Sequence, residues 1–260
     1  MTYQFCKVER EGRLTVITLN RPDVLNAIHG PASRELAAVF DEFASDPDQW
    51  VAIVTGAGDR AFSAGNDLKE QARGGDVSMP ESGFAGITAR FDLNKPVIAA
   101  VNGIAMGGGF EIALACDLII AADTAVFSLP EPKVGLAALA GGLIRLPALI
   151  GAKQALGLIL TARRVSASEG KALGFVNEVA PAAELMATAR RVASDIMSCS
   201  PMALRAAKEV VRNAAEEPSV QQALVAQWRY PAVVAMFRSA DSKEGPRAFS
   251  EKRQPVWSGN

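Results

Sequence analysis

The chain predicts an α/β protein with largely covered sheets, and three observations support this. Short apolar runs alternate with stretches of helical spacing. Several of those runs are apolar at nearly every position, as in strands buried on both faces. The 260 residues suffice to bury a large core as one domain, or as a domain with an appendage.

In chain order, "YQFCKVER" and "LTVITLN" read as two strands. "PASRELAAVFDEFASD" then places Leu36, Val39, Phe40 and Phe43 on one helical face. "WVAIVTG" and "KPVIAAVNG" are buried strands, separated by residues 70–83, "EQARGGDVSMPESG", whose glycine and polar content predicts a loop and a candidate lid. "MGGGFEIALACD" opens a helix, and "DLIIAAD" and "AVFSLPE" are further strands. Beyond residue 195 the pattern turns helical, with Pro201, Pro218 and Pro231 each placed to start a helix. The expected division is therefore a core over 1–195 and a helical region over 196–260, too apolar to stand alone in water.

Composition excludes several function classes. Twenty-seven basic against twenty-eight acidic side chains give a formal charge of -1, so no global field attracts nucleic acid or an anionic membrane. The first residues lack a secretory pattern and no apolar run reaches bilayer-spanning length, so a cytoplasmic location is expected. The three cysteines, Cys6, Cys116 and Cys199, are odd in number and far apart, which argues against a disulfide framework. With His29 as the only histidine and no close cysteine pair, no metal site is expected.

The chemistry concentrates in three stretches. Gly107, Gly108 and Gly109 let backbone approach a ligand, and the helix that follows presents unpaired N–H groups where negative charge can develop. Neither this run nor "TGAGDRAF" matches a P-loop or a complete dinucleotide fingerprint. Glu111 opens a helix that offers it no polar face, as either an acid satisfied by the helix dipole or a functional one. Twenty residues on, Glu131 stands between two prolines, as either a solvated loop acid or a partner in acid-base work. In "GDRAFSAGNDLKE" the Asn66 N–H sits at a turn entering a helix, with Asp67 near the helix start. Two backbone donors, from Asn66 and the glycine run, would clamp one oxyanion.

"AFSAGNDLKE", "KPVIAAVNGIAMGGGFEIALACDLIIAAD" and "FSLPEPKVGL" resemble the motifs of the crotonase, or enoyl-CoA hydratase/isomerase, superfamily. The resemblance runs from "LTVITLNRPDVLNAI" to "SKEGPRAFSEKRQPVW" and is nearest to enoyl-CoA hydratase and carnitinyl-CoA dehydratase-like members. It implies a crotonase-type spiral of ββα units, a helical C-terminal trimerisation region, and assembly as a homotrimer or a dimer of trimers. It also implies an acyl-CoA thioester ligand, with coenzyme A as part of the substrate and no separate cofactor. The oxyanion-hole positions fall on Asn66 and Gly108, and the two hydratase glutamates on Glu111 and Glu131. CoA-contacting positions fall on Val24, Ala27, Ala64, Asp67 and Leu68, and a tail lysine near the nucleotide phosphates on Lys252.

The expected reaction is syn addition of water across the 2,3 double bond of an enoyl-CoA. Carnitinyl-CoA dehydration, Δ3,Δ2-isomerisation and a non-catalytic acyl-CoA- or RNA-binding role are the alternatives. Ser63 is not in a nucleophile elbow and His29 reads as a helix-start residue, which disfavours a serine hydrolase. One departure stands out. Where many members carry Pro-Gly or Pro-Asp, "GLAALAGG" has Ala138 and Leu139. Phe84, Ile87 and Leu139 read either as walls of the acyl pocket or, as apolar residues at helical spacing more often are, as core.

Overall fold

The structure is a computed structural model that describes residues 3–260. The first two apolar runs form a hairpin of β1 (Cys6–Glu11) and β2 (Leu14–Leu19). The following helix, α1 (Gly30–Ser45), buries Leu36, Val39, Phe40 and Phe43 as their spacing requires. His29 is its N-cap and accepts the Ala32 N–H at Nδ1, 3.3 Å away. The lone histidine therefore works as a cap.

Three successive strand–strand–helix units follow. The first is β3 (Val51–Gly56), β4 (Ala61–Ser63) and α2 (Leu68–Ala72). The second is β5 (Val97–Val101), β6 (Ile104–Met106) and α3 (Gly108–Ala115). The third is β7 (Leu118–Ala122), β8 (Val126–Ser128) and α4 (Gly142–Ile150). Beyond them lie α5 (Ala152–Thr161), β9 (Val165–Ser166), α6 (Ala167–Leu173), β10 (Glu178–Ala180) and α7 (Leu185–Met197).

Two sheets result. The larger has the order β1-β2-β3-β5-β7-β10 and is parallel except at the β1–β2 hairpin. The smaller has the order β4-β6-β8-β9, with β4, β6 and β8 parallel and β9 antiparallel. Each unit thus gives its first strand to one sheet and its second to the other, and the next unit repeats the step alongside it. This is a spiral of ββα turns. The first strands are buried along almost their whole length, which explains their continuous apolar runs. Phe110 of α3 locks against Phe127 and Phe175, with ring centroids 5.1 Å from each.

The C-terminal region is helical: α8 (Pro201–Ala214), α9 (Val220–Ala226), α10 (Pro231–Arg238) and α11 (Asp241–Ser250). Pro201 and Pro231 begin their helices, but Pro218 does not. Ser219 caps α9 instead, accepting the Gln222 N–H at 3.2 Å, so the proline lies outside the helix it was expected to open. Buried Glu209 joins α8 to α10 by accepting the Ala232 N–H at 2.7 Å. Buried Asp241 ties the chain end to α8, accepting the Ser200 hydroxyl at 2.9 Å and the Ser258 N–H at 2.8 Å. Apolar side chains nevertheless remain exposed on this region, among them Val220, Leu224, Trp228 and Phe237. No described helix is long and apolar enough to cross a membrane.

Candidate active site

The small sheet assembles the site. Its three parallel strands β4, β6 and β8 lie side by side with β6 in the middle, and each is followed within a few residues by one element of the predicted chemistry. Asn66 comes after β4, Gly108 after β6 and Glu131 after β8. The spiral repeat therefore brings three distant sequence motifs to one edge. They line a cavity of about 400 Å³ together with Glu111.

The backbone loops after β4 and β6 are in contact. Gly65 has φ +85°, and a Cβ placed on it would fall 2.8 Å from the Gly108 nitrogen. Only glycine fits there. The neighbouring residue Asn66 forms a parallel bridge with Ile28, in which the flanking Gly65 carbonyl and Asp67 N–H make the hydrogen bonds. That leaves the Asn66 N–H on the other side. Among the described residues, neither the Asn66 N–H nor the Gly108 N–H donates to a protein atom. Two residues with uncommitted backbone donors thus line one cavity, and Gly108 is also the first residue of α3, where the helix dipole adds positive potential.

Glu111 lies in the first turn of α3 and is only 4 % exposed. Its Oε1 accepts the Gly142 N–H, the first of α4, at 2.8 Å. Two helix N-termini thus converge on one carboxyl. Burial dominates all the same and pushes its pKa up to about 7, with the Gly142 N–H opposing the shift and the Glu131 charge adding to it. Arg145, one turn further along α4, is tied to the Thr88 carbonyl at 2.8 Å and lends a weaker stabilisation of the ionised form.

Glu131 opens a 3-10 turn over Glu131–Val134. Its Oε2 is buried without a partner among the described residues, and burial raises its pKa too. The other oxygen faces the glycine run, since a Cβ on Gly107, which has φ +53°, would come 2.7 Å from Glu131 Oε1. The run therefore serves two purposes: it frees the Gly108 donor and makes room for the second acid. Two carboxyls of raised pKa, one buried and one half-buried, sharing a cavity with two residues whose N–H donors are uncommitted, can hold a water and pass protons beside a polarised carbonyl.

The remaining predicted positions divide. Ala64, Leu68, Phe84 and Leu139 line the cavity. Ile87 does not. It is buried and faces a separate cavity with Leu114 and Cys116, at the far end of α3, because the short turn at Phe84–Gly86 sends the two side chains apart. Val24 and Ala27 lie on the segment that runs beside residues 64–67, joined to it by the Ala64 N–H to the Leu25 carbonyl and the Ile28 N–H to the Gly65 carbonyl. They border the site without lining the cavity. Asp67 is buried in a structural role, accepting from Arg21 at 2.9 Å and from the Glu70 N–H at 3.2 Å as the cap of α2. Lys252 is exposed on the turn after α11 and is not part of the cavity wall. Sequence reasoning missed Gly142 as the partner of Glu111, although the pair Gly141-Gly142 ahead of "LIRLP" carries the signature of another helix start. Among the described residues there is no group of histidine, cysteine, aspartate and glutamate fit to hold a metal ion.

Known proteins resemble this chain in sequence and fold. Residues 9–260 match the family described as Enoyl-CoA hydratase/isomerase. A carnitinyl-CoA dehydratase of Escherichia coli K12 is 46 % identical over 257 residues, covering 96 % of this chain and 97 % of the relative. The crystal structure of an enoyl-CoA hydratase from Mycobacterium tuberculosis H37Rv superposes with a TM-score of 0.92 at 39 % identity, covering 98 % of this chain and 99 % of the other. That of a carnitinyl-CoA hydratase from Mycobacterium avium gives 0.79 at 41 % identity, over the full length of both chains.

Proposed function

The chain belongs to the enoyl-CoA hydratase/isomerase family, and on that premise we propose that it is a hydro-lyase that reversibly adds water across the 2,3 double bond of an enoyl-CoA thioester. The observation that carries this reading is buried Glu111 and half-buried Glu131 in one cavity with Asn66 and Gly108, whose backbone N–H groups are uncommitted among the described residues.

In this reading the thioester carbonyl oxygen lies between the Asn66 and Gly108 N–H groups. The two carboxyls hold a water between them. One takes a proton as the water oxygen bonds to the β-carbon, the π electrons move toward the carbonyl, and an enolate forms. The α-carbon then takes a proton from the acid side of the pair, which restores the thioester. Removing a donor of this kind costs about 3 to 4 kcal/mol of barrier in other enzymes, so two uncommitted donors are a substantial share of the catalysis. Coenzyme A arrives with the substrate and no separate cofactor is assigned. Val24, Ala27, Ala64, Asp67 and Leu68 would follow its pantetheine and adenine through backbone contacts, with Lys252 a further candidate for its phosphates. The exposed apolar face of the C-terminal helices supports assembly as a homotrimer or a dimer of trimers.

Incubation with trans-2-enoyl-CoA thioesters in heavy water, with products resolved by mass spectrometry, tests the reaction. Water addition is expected. Deuterium entering carbon without water addition would instead identify an isomerase. The 46 % identity to a carnitinyl-CoA dehydratase supports a second reading, in which the same pair removes water from a hydroxyacyl-CoA that bears a quaternary ammonium.

A further inference from the structure

The segment between Glu131 and Gly142 connects the two acids, since one end carries Glu131 and the other supplies the N–H that holds Glu111. Ala138, midway, is buried, whereas the next residue, Leu139, is 82 % exposed and lines the cavity. Val134 and Leu136 of the same segment, and Val77 and Met79 of the facing loop, are also exposed apolar side chains lining it. Beyond the catalytic pair the wall is mostly apolar, with Asn66, Gln71 and Lys133 as its other polar side chains. Among the described residues its charged members are Glu111, Glu131 and Lys133, and its one aromatic is Phe84.

Phe84 is committed to the donor end, because a Cβ on Gly108 would meet its ring at 2.5 Å. A quaternary ammonium leaving water needs a carboxylate or an aromatic cage around it, and an apolar tail needs only area. Both acids are engaged at the reacting carbons, and burial weakens the ionised form of each. Lys133 has the wrong sign. We propose that the site selects an uncharged, apolar acyl group and that Leu139 is a determinant of that choice, so that a trimethylammonium-bearing thioester is a poor substrate. This rests on the hydratase reading and narrows its substrate, against the name borne by a relative of 46 % identity.

The decisive pair of thioesters differs only in charge: 4-(trimethylammonio)but-2-enoyl-CoA and its carbon isostere 5,5-dimethylhex-2-enoyl-CoA. For the native protein the isostere should be favoured at least about tenfold in kcat/KM, the scale on which an apolar pocket discriminates. Leu139→Asp should narrow that ratio at least about fivefold, while Leu139→Asn leaves it within about threefold. Native preference for the cation, equal turnover of the two, or a ratio unmoved by Leu139→Asp would overturn the proposal. So would a Leu139→Asp variant that changes the assembly state but not the ratio, since Leu139 would then face another copy. If neither thioester is hydrated, the hydratase reading is at fault, and their dissociation constants still decide: about tenfold tighter binding of the isostere supports the apolar site, and equal binding removes it.

Discussion

The Gly142 N–H, at the start of α4, donates to Glu111 Oε1 at 2.8 Å, so a helix that begins 31 residues downstream orients the acid in the first turn of α3. This contact explains how a carboxyl that is almost wholly buried keeps a fixed direction toward the cavity. The acid remains costly to ionise, because burial outweighs the Gly142 and Ala140 backbone donors and raises its pKa to about 7.

That cost predicts a pH dependence of stability. The folded pKa of Glu111 lies above the ordinary value of 4.5, so its contribution is fully present below the unfolded value and is lost as pH rises through about 7. Glu111→Gln carries no such loss. In urea unfolding, the stability of this variant relative to the native protein should rise by about 1 to 3 kcal/mol between pH 5 and pH 8. Parallel pH profiles would show that the carboxyl is not held above its ordinary range.

Replacing the Asn66 side chain should matter little to the chemical step. The proposed donor is the backbone N–H, and the side-chain amide instead donates to Gln71 at 2.7 Å. Asn66→Ala should keep kcat within about fivefold, against the hundredfold or greater losses that follow removal of an oxyanion donor. Single-turnover hydration rates check this.

Asp67 should behave as a structural residue. Burial opposes its ionised form, but the Glu70 N–H and Arg21 outweigh it and hold the carboxyl below its usual range. Asp67→Ala removes a helix cap and leaves the half-buried Arg21 without its ion pair, which predicts a loss of about 1 to 3 kcal/mol in stability. Because the segment carrying Ala64 and Leu68 loosens with it, KM for the thioester should rise more than kcat falls.

The exposed apolar face of the C-terminal helices predicts a particle of three or six chains in analytical ultracentrifugation. Trp228 and Phe237 stack with ring centroids 5.7 Å apart and are both exposed. Converting both to serine should shift the distribution toward single chains if they lie in the contact, whereas an unchanged mass would place the contact elsewhere.

The glycine run, the two acids and the Asn66 turn were legible because each breaks a local rule: an acid without a polar face, three glycines before a helix, a carboxyl between prolines. The covered strands were legible from their continuous apolar character. Of the second sheet only β8 was read, within "AVFSLPE"; β4 and β6 were not, because they span three residues each, too short to show a period. Nor was the Gly142 contact: the Gly141-Gly142 pair marks a helix start, but what that start meets depends on how α4 returns over α3. Ile87 shows the limit of reading apolar residues as pocket walls: three positions past Phe84, it lines a different cavity.

In the proposed reaction Glu111 and Glu131 act together on one water beside the two backbone donors. The direct measurement is hydration of a trans-2-enoyl-CoA in oxygen-18 water by the native protein and by Glu111→Gln and Glu131→Gln, with thioester dissociation constants measured alongside. One labelled oxygen on the β-carbon, a loss of at least about a hundredfold in turnover for each variant, and dissociation constants within about threefold of native are expected. Near-native turnover by either variant, or products without the label, would contradict it.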